Sequence, residues 1–436
     1  MSESADHDYI LHHVRELGVK LIRLWFADVA GRLKEVAITS EQLESVLEDG
    51  LGVDGGVMGG PSQDESELIL VPDASTFALL PPLDGVSEVG RMFCDVRTPA
   101  GDAAPDDTRA VLKAALARAS ARGYTFYAGC EIEHFYFRQG DGPLTPMDQG
   151  RRYDPGLPNE LMSLKRDTLL ALEQLGVAVD SFHHEDAPGQ YKVGLQYNDA
   201  LSMADGLVTY RQVARQVARR FGIVASFMPK PLTEHEGSGL HFSLSLTRGE
   251  ENAFYGADDA TGLSGLARGF LAGLLDHAPA ITLVTNPTVN SYKRLAPGFS
   301  APVACTWAPS GRGDLVRIPA LQTGHGPRST RLEYRVADPS CNPYLALTAL
   351  LEAGLDGAER ALEPPPSRAS DVAPEHAGVP LPRSLAEAIG RSRESELLTR
   401  ALGDALHDEL IRAAQQQWDE YHTHVSAWEI ASYLEL

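Results

Sequence analysis

An α+β fold is predicted by three observations. Strand-like runs come in groups with helices interleaved, units of the strand–helix–strand kind are few, and the chain is long enough for more than one core. With 436 residues, two or three domains are accommodated. A small α+β domain is expected over 1–100 and a larger one over 105–436.

The elements follow in order. Residues 18–39 read as two strands around a turn at Ala30-Gly31, and 41–50 as a short helix. The segment 50–67, GLGVDGGVMGGPSQDESE, is rich in glycine and polar residues and is expected to be a loop. Strand-like runs resume over 68–97. A helix starts near Asp107, with apolar residues at helical spacing and a glycine stop. The run YTFYAGCEIEHFYF is a strand, followed by helices at 159–175 and 200–221 with a strand–loop–strand piece between them. Residues 239–247 alternate as a strand. A helix spans 262–277, strands fall at 303–307, 314–318 and 330–336, a helix at 342–356, a proline-rich loop at 363–367, and the C-terminus is helical.

Composition narrows function. The apolar share of 43% and charged share of 22% fit a globular chain. No apolar run approaches the roughly 20 residues a membrane span needs. The N-terminus lacks a basic start with an apolar stretch, so the expected location is cytoplasmic. A formal charge of −22 disfavours nucleic acid and anionic membrane as partners. Small anions remain open, because a local arginine cluster can bind them. The four cysteines are scattered without a CxxC pair, so neither a zinc knuckle nor a dithiol site is indicated.

Three patterns bear on chemistry. Glu131 and Glu133, two apart on a strand, share a face opposite Cys130, Ile132 and His134. Two carboxylates together call for a cation, or else face solvent. Arg331, Glu333 and Arg335 also share a face, either as a surface ion-pair ladder or as holders of an anion and a metal. His241, Ser243 and Ser245 line one face of GLHFSLSL, where a lone histidine is more often structural.

Longer segments resemble the glutamine synthetase family: NPTVNSYKRLAPGFSAP (286–302), KPLTEHEGSGLHFSLSL (230–246) and RLEYRVADPSCNPYLALTALLEAGLDG (331–357). CEIEHF near 130, HHEDAPGQ near 183 and PDAST at 72–76 fall in the family's order, and the matches cover most of the chain. The resemblance extends to γ-glutamyl-amide ligases. It implies an N-terminal β-grasp domain and a catalytic domain of antiparallel strands flanked by helices. It further implies a ring-type homo-oligomer (a dodecamer) with sites between subunits. The implied reaction is ATP-dependent: a small-molecule carboxylate becomes an acyl phosphate, and an amine displaces the phosphate. Metals and arginines neutralise the anionic reactants.

Residue by residue, the resemblance places one Mg2+ or Mn2+ at Glu131, His241 and Glu333. Arg294 would hold an α-carboxylate and Arg335 the reacting carboxylate. Arg312, Arg317 and Arg331 would face phosphate, with Ser243 beside the nucleotide. Gly237 lies on the substrate loop, Tyr153 lines the amine pocket, and Asp54 reaches toward the amine across the subunit interface.

Four positions depart from the family pattern. Of three glutamates for a second metal, Glu133 and Glu185 are present and the third is Lys192. An ammonium about 4 Å from a dication repels it by roughly 8 kcal/mol at an effective dielectric near 20. Lys192 is expected either to stand in the metal's place or to swing into solvent while water completes the coordination. The flap glutamate is Ser300, which offers no comparable base. A histidine is replaced by Ser243 and an asparagine by Glu236. No tyrosine for adenylylation is evident after residue 357. Three readings follow, in order: a ligase using an amine other than ammonia, a non-catalytic scaffold or sensor, and a glutamine synthetase proper.

Overall fold

Two sheets organise the computed structural model, which describes residues 3–436 except 61, 63–66, 83–87, 141, 157, 258, 260, 310, 321–325 and 370. The first has six strands. Leu21–Ala27 pairs antiparallel with Leu33–Thr39 and parallel with Val89–Arg97, which continues to Leu68–Pro72 and Leu51–Val53. Ala78–Leu79 adds to Val89–Arg97. Alternation of Ile22, Leu24 and Phe26 buries one face of Leu21–Ala27 in a core with Leu68, Leu70 and Met92.

The second sheet has nine strands. Its path runs Trp307–Ala308, Val316–Arg317, Leu332–Tyr334, Leu240–Arg248, Thr125–Arg138, Gln190–Asp199 and Val179–His184. Ile223–Ser226 pairs with Thr125–Arg138, and Glu251–Asn252 with Leu240–Arg248. Every pairing is antiparallel except that of the first two strands. Cys130, Ile132, Phe242 and Leu244 turn one face into the main core, where helices pack. The alternate residues carry the charged face described below.

The helices start where the sequence caps them. Asp107, Asp199, Ser264 and Asn342 each accept backbone N–H groups at the start of Thr108–Ala121, Ala200–Arg220, Gly265–Thr285 and Pro343–Glu359. The last two helices meet backbone to backbone. A Cβ on Gly273 would lie 2.1 Å from the Ala353 carbonyl oxygen and 2.8 Å from the Gly357 Cα. Asn342 also ties the sheets together. Its amide donates to the Asp28 carbonyl at 3.3 Å, the Val29 carbonyl at 3.1 Å and the Thr108 hydroxyl at 3.1 Å. At the same joint, buried Arg109 reaches Asp73, Asp95 and Asp205 at 2.8, 2.7 and 3.1 Å.

Several sequence expectations need correction. Gly265–Thr285 runs past residue 277 with Pro279 inside it. An interior proline costs about 3 kcal/mol, and packing against Pro343–Glu359 on an almost wholly buried helix outweighs it. Segment 50–67 is not all loop: Leu51–Val53 is a strand and Gly55–Met58 a 3₁₀ turn, because Leu68–Pro72 offers a partner edge. Residues 61 and 63–66 of that segment lie outside the described residues. The strands at 307–308, 316–317 and 332–334 are shorter than expected. Helix Glu3–Glu16, which buries Ile10 and Val14, and strand Ile223–Ser226 are additions to the sequence reading. The C-terminus is helical, as four helices between Leu385 and Tyr433. All four cysteines are buried and unpaired.

Candidate active site

Strand register builds the site. Glu131 stands opposite His241, and Glu133 opposite Lys192, across the antiparallel neighbours of Thr125–Arg138. Lys192 also faces His183 on the other side. Pairing of Ser243 with Glu333 brings the third strand in. Side chains directly opposite one another are in reach, so three strand pairings collect charges dispersed over two hundred residues of chain.

Glu131, His241 and Glu333 each offer one ligand atom, all within 4.8 Å of one another. Two carboxylates and an imidazole suit a hard divalent ion. Burial, then Arg335 and Lys192, holds the His241 imidazole below its ordinary pKa, which keeps a ring lone pair free for a metal. His241 Nδ1 lies 3.5 Å from Glu131 Oε2 and 3.5 Å from Glu333 Oε1. Arg317 Nη2 is 2.5 Å from Glu333 Oε2, and Arg335 pairs with its other oxygen. The donor set therefore fits one ion, flanked by two guanidinium groups.

Lys192 fills the neighbouring position. Its buried Nζ lies 3.2 Å from Glu131, 3.0 Å from Glu133 and 3.1 Å from Glu185. Burial pushes its ammonium down, but Glu133, Glu131 and Glu185 outweigh that and hold its pKa above the ordinary lysine value. Burial raises the Glu185 carboxyl, yet the His183 hydrogen bond, Lys192 and Arg152 bring it down to about 2. Burial likewise opposes Lys192 and His241 at Glu133, whose net shift is downward. Glu131 is held well below the usual range by its His241 hydrogen bond, against burial and with help from Lys192. Of the two placements open to Lys192, the inward one is present.

One cavity of about 180 Å³ takes in most of the predicted residues. Glu131, Glu133, Glu185, Lys192 and His241 form one wall, and Gly237, Arg294, Arg312, Arg317 and Arg335 another. Tyr153 and Ser300 also line it. Arg294 is buried and pinned by carbonyls, donating to Val336 at 2.7 Å, Ala337 at 3.2 Å and Arg335 at 3.2 Å. Among the described residues it has no carboxylate partner, so its charge is free for an anion. Gly237 has no room for a side chain: a Cβ would sit 2.3 Å from the Pro229 carbonyl oxygen and 3.2 Å from the Arg294 Cγ. Tyr153 adopts a positive φ of 63° and packs its ring on His183 at 4.7 Å.

Four predicted residues do not line that cavity, and one of them, Glu333, is held by Arg317 and Arg335. Asp54 accepts the Gly56 N–H at 2.8 Å on the exposed rim of the first sheet. Ser243 lies one alternation beyond His241. Arg331 donates to the Ser329 carbonyl at 3.0 Å instead of joining Glu333 and Arg335, because Arg317 already holds the free Glu333 oxygen. Arg152 and Asp186, by contrast, are lining residues absent from the sequence reading. Arg152 Nη2 reaches Glu185 at 2.6 Å and Asp186 at 2.8 Å. Its signal was faint: a basic residue beside Tyr153, two elements away from its partners.

Comparison with known proteins adds the following. The description "Glutamine synthetase, beta-Grasp domain" matches residues 18–99, and "Glutamine synthetase, catalytic domain" matches 105–433. Similar proteins include the glutamine synthetases of Mycolicibacterium smegmatis, 42% identical with 98% of this chain and 99% of that one covered, and of Thermotoga maritima, 40% identical with 97% and 98% covered. A solved structure described as GmaS without ligand superposes with a TM-score of 0.86 at 31% identity, covering 97% of this chain and 98% of that one. A GmaS/ADP complex gives 0.87 at 31%, covering 98% and 99%. GmaS denotes a gamma-glutamylmethylamide synthetase. The N-terminal β-grasp domain and the mixed catalytic domain match those neighbours.

Proposed function

The chain belongs to the glutamine synthetase family, and from that premise we propose that it joins a glutamate-like acid to a small amine other than ammonia, using one divalent ion. The family and the GmaS neighbours make it an ATP-dependent, amide-forming ligase of small-molecule substrates. The observation that carries the finer reading is the split between the two ends of the cavity. At the acid end Arg294, Arg335 and Gly237 keep the family pattern. At the amine end Lys192 stands among three carboxylates and Ser300 replaces an acid.

In this mechanism Arg294 holds the α-carboxylate of the acid, oriented by three carbonyls that fix its guanidinium. Arg335, with Arg312 and Arg317, neutralises the reacting carboxylate and the transferred phosphoryl group. Arg331 and Ser243 lie toward the nucleotide. Glu131, His241 and Glu333 would hold a Mg2+ or Mn2+ ion, which would supply charge neutralisation of the phosphate tail. Lys192 takes the second ion's place as a point charge, holding Glu133 and Glu185 in position. Tyr153 shapes the amine pocket. Asp54 faces a neighbouring subunit's cavity in a ring-type homo-oligomer, and the chain divides into domains 1–100 and 105–436.

Purified protein with Mg2+, ATP and glutamate tests the reading when phosphate release and amide product are followed over ammonium, methylammonium and larger alkylammonium salts. Alkylamide formation exceeding glutamine formation is expected. The 42% identity to a glutamine synthetase favours a second reading, with ammonia as the amine. Faster glutamine formation would support that one. No phosphate release with any pair would leave a non-catalytic role.

A further inference from the structure

We propose that Glu236 supplies the carboxylate that position 300 has lost: it latches the 297–301 segment and receives the cationic amine. This rests on the ligase reading above and deepens it toward small primary alkylammonium ions. Glu236 precedes Gly237 on the loop entering strand Leu240–Arg248. Its Oε2 accepts the Ser300 N–H at 2.9 Å, and its Oε1 accepts the Ser300 hydroxyl at 3.3 Å. Both residues line the cavity. On the family resemblance these are two of the four departing positions, and they touch. An asparagine has become an acid where its contact partner has ceased to be one.

Charge accounting singles Glu236 out among the acids of the cavity. Glu131 and Glu133 are ion-paired to Lys192, Glu185 to Lys192 and Arg152, and Asp186 to Arg152. Among the described residues, no cation forms an ion pair with Glu236. Its neighbour Lys230 donates to the His235 carbonyl and lies 3.3 Å from the Phe299 ring centroid, so that it and Arg294 act on Glu236 as nearby charges and not as ion-pair partners. That cation–π contact is a second latch on the same segment. Glu236 is therefore the cavity carboxylate with negative charge left for a ligand, and it stands where the segment closes over the site.

The step balances as follows. An alkylammonium ion passes one N–H proton to the Glu236 carboxylate. The neutral amine attacks the acyl phosphate carbon, a C–N bond forms, and the C–O bond to phosphate breaks with its electron pair on the leaving phosphate. The second nitrogen proton ends on phosphate, and Glu236 returns its proton to solvent. Because the acid now comes from the substrate loop, the flap position holds only a hydroxymethyl group. That leaves room for a carbon substituent on nitrogen.

Glu236→Gln tests this, since its amide oxygen still accepts from Ser300 while the charge is gone. The kcat/KM for methylammonium is expected to fall about 100-fold, within the usual range for a lost general base. The thermal melt of the variant should stay near that of wild type, which shows that it folds. Adding Ser300→Glu should restore turnover and shift preference from methylammonium to ammonium. Wild-type rates with methylammonium in Glu236→Gln would overturn the proposal. So would equal loss of amine-dependent and amine-independent phosphate release without recovery in the double variant, because that marks a purely structural role. A wild-type protein inert toward every acid and amine would remove the ligase reading and this inference with it.

Discussion

Replacing Lys192 with glutamate should convert a one-ion site into a two-ion site. In the wild-type chain the ammonium sits 3.2, 3.0 and 3.1 Å from three carboxylates. A divalent ion among the same carboxylates would come within about 4 Å of it and meet roughly 8 kcal/mol of repulsion at an effective dielectric near 20. Screening and relaxation reduce that figure. Even about 2 kcal/mol is a thirtyfold loss of affinity. Equilibrium dialysis with Mn2+ should count one tightly held ion per wild-type chain and two per Lys192→Glu chain. Without metal the variant should be less stable by at least about 3 kcal/mol, since a buried ion cluster has lost its cation. Mn2+ should then raise its Tm more than it raises the wild type's. Two ions of similar affinity in wild type would refute the reasoning, as would a single ion in the variant.

Arg294→Lys should raise KM for the acid by about 10- to 100-fold, the effect of about 1.5–3 kcal/mol expected for hydrogen bonds to a charged group. Its KM for ATP should move much less, and steady-state kinetics with each substrate varied would check both. Gly237→Ala forces a Cβ against the Pro229 carbonyl oxygen, so acid KM should rise by at least tenfold and the thermal melt should fall, because backbone has to move. Burial pushes the Asp107 carboxyl up to about 6, against hydrogen bonds from Val96 and Ala110. The folded state then holds the extra proton between pH 4 and 6, so stability falls as pH rises through that window. A shift of about two pKa units corresponds to about 3 kcal/mol. Denaturant melts should show that decline in wild type relative to Asp107→Asn, which keeps a capping oxygen but does not titrate.

The local patterns were readable in the sequence, whereas the contacts between them were not. Alternation put Glu131 and Glu133 on one face, and apolar spacing with a glycine stop marked the helix after Asp107, because both signals lie within a few residues. Which strand faces which is a long-range matter. The grouping of Lys192 with Glu133 and Glu185 was legible only through the family resemblance, and the meeting of Glu236 with Ser300 had to come from three dimensions. Arg152 was missed for the same reason, since nothing near it in the chain announces Glu185. The helix expected over 262–277 runs on to Thr285 through Pro279: the proline's local cost is real, but a buried helix neighbour overrides it. Arg331 alternates with Glu333 in sequence, yet it lies just before strand Leu332–Tyr334 and its side chain goes to the Ser329 carbonyl.

The two glycine-lined helices have a bearing on how this cavity can change over evolution. One ends at Thr285 and the other begins after Asn342, and between those points lie the peptide groups that orient Arg294. Asn286 anchors that stretch, donating to the Val336 carbonyl at 2.8 Å and to Asp338 at 2.9 Å. The Arg294 pocket proposed for the organic acid is thus tied to two buried, closely packed helices, while Glu236 and Ser300 sit on loops that meet through side-chain contacts. New nitrogen nucleophiles can be sampled by exchanging residues on those loops, with the acid's berth left undisturbed.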